Sequence, residues 1–254
     1  MIVVIKGDRI TALEKAGGVN IPKDGLIIDA SGKYLIPGLW DMHVHGEVGY
    51  AILFLANGVT GVRHMFGSPN IIEWRKQVAA GNLIGPRIVV GSPLVDGPNP
   101  VWKNSIGVAT APEGRCAVRK VRNEGYDFVK VCSLLSRDAY FAVADESNKQ
   151  GIPFAGHVTD AIGATEASNA GQKSIEHLNG ILIGCSSIEK ELREQFRQTR
   201  KPDGRDVALF THAMKEAVYT FDEKKASALF SRFVENGTWA GTNAHCTALC
   251  SLPG

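Results

Sequence analysis

From Pro37 onward the polar and apolar positions follow one recurring unit, in which a polar, helix-compatible stretch ends in glycine and a short β-branched run follows. The instances are Ala56-Asn57-Gly58 before 59–64, Asn123-Glu124-Gly125 before 126–131, Lys149-Gln150-Gly151 before 152–157, Asn169-Ala170-Gly171 before 172–177 and Glu235-Asn236-Gly237 before 238–240. Glycine just past a helix end takes the left-handed conformation without a Cβ penalty, and a buried strand can then begin. The pattern predicts strands near 39–45, 59–65, 87–91, 126–131, 153–158, 173–178 and 238–242. Helix starts are signalled by the capping boxes Thr110-x-x-Glu113 and Ser186-x-x-Glu189, and by Ser136 as N-cap of a helix over 137–149. Residues 181–236 read as a long helical excursion. The first 36 residues differ: Ile2–Ile5, Arg9–Leu13 and Leu26–Asp29 read as short strands separated by glycine-containing turns. That stretch is too small to fold alone.

Glycines 125, 151 and 171 are spaced for βα units, not hairpins, so the strands are expected to be parallel with crossover helices. Such units close either as an open doubly wound sheet or as a barrel. No glycine-rich phosphate fingerprint follows the first strand, which favours the barrel. Seven strands are one short of eight. The fold class expected is α/β: a (β/α)8 TIM-like barrel, incomplete at the C-terminus, over residues 37–254, with a small partial β-sandwich at the N-terminus over 1–36.

Ionisable residues recur at one register of these units. His64, His157 and His177 each lie six positions after the glycine that opens their strand, and Lys130 lies five after Gly125. Parallel α/β folds carry their chemistry at C-terminal strand ends, so these side chains are expected on one rim. His43 and His45, two apart on the first strand, point to the same side about 7 Å apart at their Cα atoms, and can grip one cation. Imidazoles with oxygen ligands suit zinc or a similar borderline divalent ion. A protonated lysine has no lone pair to offer. Lys130 becomes a ligand only if it is desolvated, deprotonated and converted by carbon dioxide to a carbamate, which would bridge two metals. Two metals sharing a hydroxide make a hydrolase site. Each residue also has a plainer reading: Lys130 as a strand residue reaching to solvent, His157 as a satisfied buried imidazole, His177 as a surface residue paired with Glu176. His212 and His245 are expected to be structural.

Composition narrows the classes. The chain has 254 residues, 44% hydrophobic, with 28 basic against 26 acidic side chains and a formal charge of +2, which is ordinary for a globular protein and too balanced for nucleic-acid or membrane binding by bulk charge. No apolar run approaches the ~20 residues of a membrane span, and no export signal is seen, so the default expectation is cytoplasmic. Five cysteines without a pairing framework read as reduced thiols. Cys246 and Cys250 could bridge or bind metal, but no second pair stands at zinc-site spacing. A hydrolase with Cys132 or Cys185 as nucleophile is disfavoured, because sequence spacing puts no histidine beside either.

Leu35-Ile36-Pro37-Gly38-Leu39-Trp40-Asp41-Met42-His43-Val44-His45 resembles the opening strand of the amidohydrolase superfamily. Ile28–Lys33 is similar to that family's lead-in from a β-sandwich. Ala56–Arg63, Gly85-Pro86-Arg87, Phe128-Val129-Lys130, Gly156-His157 and Ser174-Ile175-Glu176-His177-Leu178 match in order, over roughly residues 2–239. The resemblance is strongest to the imidazolonepropionase-like branch with its Xaa-Pro dipeptidases. It implies a distorted barrel with a small β-sandwich and a binuclear site: His43 and His45 on one metal, His157 and His177 on the other, and N6-carboxylated Lys130 between them. It implies Zn2+ or a similar ion, two per chain, and a small amide or dipeptide substrate, with no nucleic acid or membrane partner; a homo-oligomer is compatible with it. The family's catalytic aspartate lies on an eighth strand, which this sequence does not reach, so no catalytic residue is assigned. The change of character after Trp239 leads us to expect a chain shortened at both ends. His64 stands where relatives carry Asp or Asn and takes no role. Two functions follow: a metal-dependent hydrolase of carbon–nitrogen bonds, or an inactive truncated metal-binding remnant of one.

Overall fold

A computed structural model describes residues 1–15, 17, 18, 24–201 and 204–242. The chain separates into two compact units, Met1–Pro37 and a second beginning at Gly38. In the first, β1 (Ile2–Lys6) and β2 (Arg9–Glu14) pair antiparallel, with Ile2 opposite Glu14 and Lys6 opposite Arg9. The third expected strand, Leu26–Asp29, does not form. The Asp29 carboxylate instead accepts the N–H and O–H of Ser31 at 2.9 and 2.6 Å, a local turn that competes with strand pairing. None of the described residues of this unit is buried. The N-terminal sheet is therefore a two-stranded hairpin.

The second unit is built on a parallel sheet. Its strands are β3 (Leu39–Val44), β4 (Val59–His64), β5 (Arg87–Asp96), β6 (Ile106–Gly107), β7 (Phe128–Val131), β8 (Phe154–Gly156) and β9 (Ser174–Ile175), with β12 (Trp239–Ala240) after a separate small hairpin of β10 (Arg200–Lys201) and β11 (Gly204–Arg205). The spatial order is β12-β9-β8-β7-β5-β4-β3, every neighbouring pair parallel, with β6 added beside the far end of β5. All seven expected strands are present. From β3 to β9 is five strand spacings, about 24 Å if the sheet were flat. Yet His43 on β3 meets Glu176, just beyond β9, at 2.7 Å. The sheet is curled into a partial barrel.

Helices connect the strands: α1 (Ala51–Ala56), α2 (Pro69–Ala79), α3 (Ala111–Asn123), α4 (Arg137–Gln150) and α5 (Ala164–Asn169), then α6 (Ile181–Gly184), α7 (Glu189–Gln198), α8 (Val207–Tyr219) and α9 (Glu223–Asn236) in the excursion before β12. No helix among the described residues is long and apolar enough to cross a membrane. Each glycine of the recurring unit has a positive φ: +76° at Gly58, +83° at Gly125, +64° at Gly151, +94° at Gly171 and +63° at Gly237. Ser136 caps α4, its Oγ accepting the Ala139 N–H, and Thr110 caps α3 by accepting the Glu113 N–H. The second capping box does not form. The Glu189 carboxylate bonds the Lys225 ammonium on α9 at 2.8 Å, a charge-assisted contact that the backbone of Ser186 does not match, and the Ser186 hydroxyl accepts the Ile188 N–H instead. Between sheet and helices, Val118 and Val121 of α3, Tyr140 and Val143 of α4, Val129 and Val131 of β7 and Phe154 of β8 form one buried core.

Candidate metal centre

The curled sheet brings together the five residues singled out as ligands. The Nε2 atoms of His43 and His45 lie 3.1 Å apart, as expected for two side chains on one face of β3. The ring of His177 is 4.6 Å from that of His43 and 5.2 Å from that of His157. Lys130 on β7 is 1% exposed, its backbone N–H donating to Ser92 Oγ at 3.0 Å. The charge of Lys130 bears on His43, His45, His157 and His177 alike. His64 stands next to the group, its ring 6.3 Å from His45. Its Nε2 faces the Gly46 carbonyl at 3.0 Å and its Nδ1 the Phe66 N–H at 3.4 Å, so the backbone occupies both nitrogens and a structural role follows. His212 is an exposed side chain of α8, 3.5 Å from Glu216. His245, Cys246 and Cys250 lie outside the described residues.

Two backbone devices aim the later histidines. At Gly156, φ is +139° and a Cβ would stand 2.1 Å from the Val131 carbonyl oxygen. Only glycine lets β8 lie so close to β7 there, and it sets the next residue, His157, whose N–H bonds that same carbonyl at 3.0 Å. The His157 ring meets Ser133 Oγ at 2.8 Å and Cys132 Sγ at 3.6 Å through Nδ1. The fold thus sets a histidine beside Cys132, which sequence spacing did not. At the end of β9, His177 and Leu178 have φ of +58° and +53°, a left-handed pair without glycine. Such residues cost on the order of 1 kcal/mol or more each and cluster at functional sites. The turn is held by Leu178 N–H to the Gly241 carbonyl and Asn179 N–H to the Glu176 carbonyl. His177 Nδ1 is buried and has no hydrogen-bond partner among the described residues.

Glu176 belongs to this cluster, a placement that sequence reasoning missed. The sequence pairs it with its neighbour His177. Its carboxylate instead accepts from His43 Nδ1 at 2.7 Å through Oε2, and from Arg63 Nη2 at 2.6 Å and Ser174 Oγ through Oε1. Arg63 of β4 also donates to the Met42 carbonyl of β3 at 2.7 Å and to Ser174 Oγ at 2.9 Å. The signal available was an arginine set inside the β-branched run 59–64, with Ser174 and Glu176 two apart around Ile175. Burial raises the Glu176 carboxyl, but His43, Arg63, Ser174 and Lys130 outweigh it and bring it to about 2.

Burial, followed by mutual repulsion with Lys130 and one another, lowers the imidazoles: His45 and His177 to about 4, His157 well below its ordinary value, and His43 less because Glu176 opposes the shift. Neutral imidazoles keep the lone pairs a metal requires. His43 and His45 fit a metal as a pair: 3.1 Å between their imidazole nitrogens is about the gap they would span around one ion at ~2.0–2.1 Å. Among the described residues, no set of three or more His, Cys, Asp or Glu side chains could hold an ion as it stands. A cavity of about 410 Å³ is lined by His43, Arg63 and Glu176 together with residues of β3, Val59, Gly241 and Thr242.

No protein-family model matches the chain, and no curated protein matches it. Solved structures do. Bottromycin amidohydrolase superposes at a TM-score of 0.56 with 21% identity over 82% of this chain and 58% of its own. A Xaa-Pro dipeptidase with bound methionine superposes at 0.57 with 19% identity, over 95% of this chain and 74% of its own. Molinate hydrolase superposes at 0.61 with 19% identity, over 99% of this chain and 71% of its own. The chain thus spans between about three fifths and three quarters of these proteins' lengths. What the likeness establishes is the architecture: this chain shares the fold of these proteins over the matched length.

Proposed function

We propose that the chain is a metal-dependent hydrolase of carbon–nitrogen bonds, acting on a small amide, cyclic amide or dipeptide. The observation that carries the reading is the convergence of His43, His45, Lys130, His157 and His177 from four strands onto one end of a curled parallel sheet. The fold shared with an amidohydrolase and a dipeptidase supports it. In this reading His43 and His45 hold one ion, His157 and His177 a second, and Lys130 joins them as an N6-carboxylate. Zn2+ or a similar borderline ion suits the donor set, and once bound it polarises a carbonyl and supplies hydroxide near neutral pH.

The chain's own residues perform the remaining tasks. The lowered imidazoles stay unprotonated at neutral pH and offer lone pairs. Lys130 is 1% exposed, and its neutral amine would be the form that adds carbon dioxide and releases a proton. The cavity beside His43 has the size of a small-molecule site. A second reading, a metal-binding chain without catalysis, is favoured by one observation: Glu176 is committed to three donors and is not placed to shuttle a proton. The test loads the purified chain with zinc in bicarbonate buffer and follows amine release from a panel of dipeptides, N-acyl amino acids and lactams, with chelated protein as control. Metal-dependent release is the expected result. Binding without release selects the second reading, and no binding overturns both.

A further inference from the structure

We propose that Glu176 is a positioning residue that fixes the tautomer of His43, so that Nε2 is presented bare towards His45. The inference rests on the metal-site reading for its purpose and on geometry for its content. Glu176 is 1% exposed, its Oε1 accepts from Arg63 and Ser174, and the Arg63 guanidinium 2.6 Å away pairs with it as an ionised carboxylate. An ionised carboxylate can only accept, so the hydrogen on the 2.7 Å contact sits on His43 Nδ1. A neutral imidazole has one hydrogen, and Nε2 is therefore left with its lone pair. That lone pair faces His45 Nε2 across 3.1 Å. In the metal-free chain His45 must then donate from Nε2. A cation placed between the two rings instead takes both lone pairs, and the His45 hydrogen moves to Nδ1.

Arg63 gives the device its rigidity. It bonds Glu176, Ser174 and the Met42 carbonyl, which immediately precedes His43, so one guanidinium fixes both the carboxylate and the strand carrying its imidazole. A carboxylate behind a ligating histidine raises its donor strength and sets its orientation, and removing such a partner costs about 10–100-fold in metal affinity. In Glu176→Gln an amide keeps the shape but can either accept from Nδ1 or donate to it, so the direction of the hydrogen bond is no longer dictated. Ser174→Ala removes a bond to the other oxygen and leaves the His43 contact in place.

The test is read without catalysis. In the metal-free full chain at neutral pH, 15N NMR of the ring nitrogens is expected to report a protonated Nδ1 and a bare Nε2 on His43. Glu176→Gln is expected to mix the two tautomers and to weaken zinc binding about 10–100-fold, and Ser174→Ala to do neither. A wild-type His43 protonated at Nε2 overturns the inference, even if the variants do not fold. Unchanged zinc affinity in a folded Glu176→Gln protein overturns the positioning role. A wild-type chain with the expected tautomer that binds no zinc supports the tautomer assignment and overturns only the metal reading.

Discussion

Two strands of one sheet carry the candidate ligands in opposite circumstances. All four residues of β7, Phe128 to Val131, are buried, with β5 and β8 on either side. On β3, Leu39, Trp40, Asp41 and Met42 are all exposed, and β4 is its one strand neighbour among the described residues. Lys130 and His157 are therefore placed by packing. His43 stands on an edge strand with His45 just beyond it, and what fixes His43 is the Glu176–Arg63 pair reaching across the curl. The same site is built by burial on one side and by ion pairing on the other. The two halves should fail under different insults.

The largest difference is expected from side-chain truncation. Phe154→Ala on β8, at a position 1% exposed, should cost about 3–5 kcal/mol in urea unfolding, whereas Met42→Ala on exposed β3 should stay within about 0.5 kcal/mol. Equal costs would erase the distinction. Next comes Arg63→Ala, which leaves Glu176 buried with its main cationic partner gone and should cost about 3 kcal/mol. Its signature is local: amide hydrogen exchange should accelerate over 39–44 and not over 128–131. Exchange that accelerates equally in both strands would show that the network serves the whole sheet.

Acid should expose the charged half third. His45 and His177 have folded values of about 4 against about 6.5 unfolded, so the unfolded chain takes up their protons first. Their contribution is full above pH ~6.5 and is lost as pH falls towards 4. Glu176, at about 2 against about 4.5 unfolded, adds a second loss as pH falls from ~4.5 towards 2. Urea midpoints of the chelated protein should therefore decline in two steps, while the Phe154→Ala offset stays constant. A midpoint flat between pH 6.5 and 4 would contradict the neutral imidazoles. Ser133→Ala deletes one bond to His157 and should cost about 1 kcal/mol.

What could be read from the sequence divides along the same line. The helix-glycine-strand unit marked five of the sheet strands, β4, β7, β8, β9 and β12, because a left-handed glycine at a helix end is a local backbone requirement. The His43–His45 pair was equally local. The role of Glu176 was not, since its partners Arg63 and His43 are more than 100 residues away and meet it only when the sheet curls. Leu26–Asp29 misled because β-branched composition carries no information about whether a partner strand is present, and Asp29 with Ser31 offered the backbone a turn. The Ser186 box failed for a tertiary reason, the arrival of Lys225 at Glu189.

The central claim is that the packed and the ion-paired halves meet at one binuclear site, and Lys130 is where it can be tested most directly. Zinc bound per chain should be measured for the wild type and for Lys130→Ala, each equilibrated with zinc and bicarbonate and then dialysed. The account predicts two zinc ions in the wild type and one in the variant, because the bridging carboxylate is lost while the His43–His45 pair remains. Equal stoichiometry in the two folded proteins would remove Lys130 from the site, and a folded wild type that retains no zinc would contradict the metal centre itself.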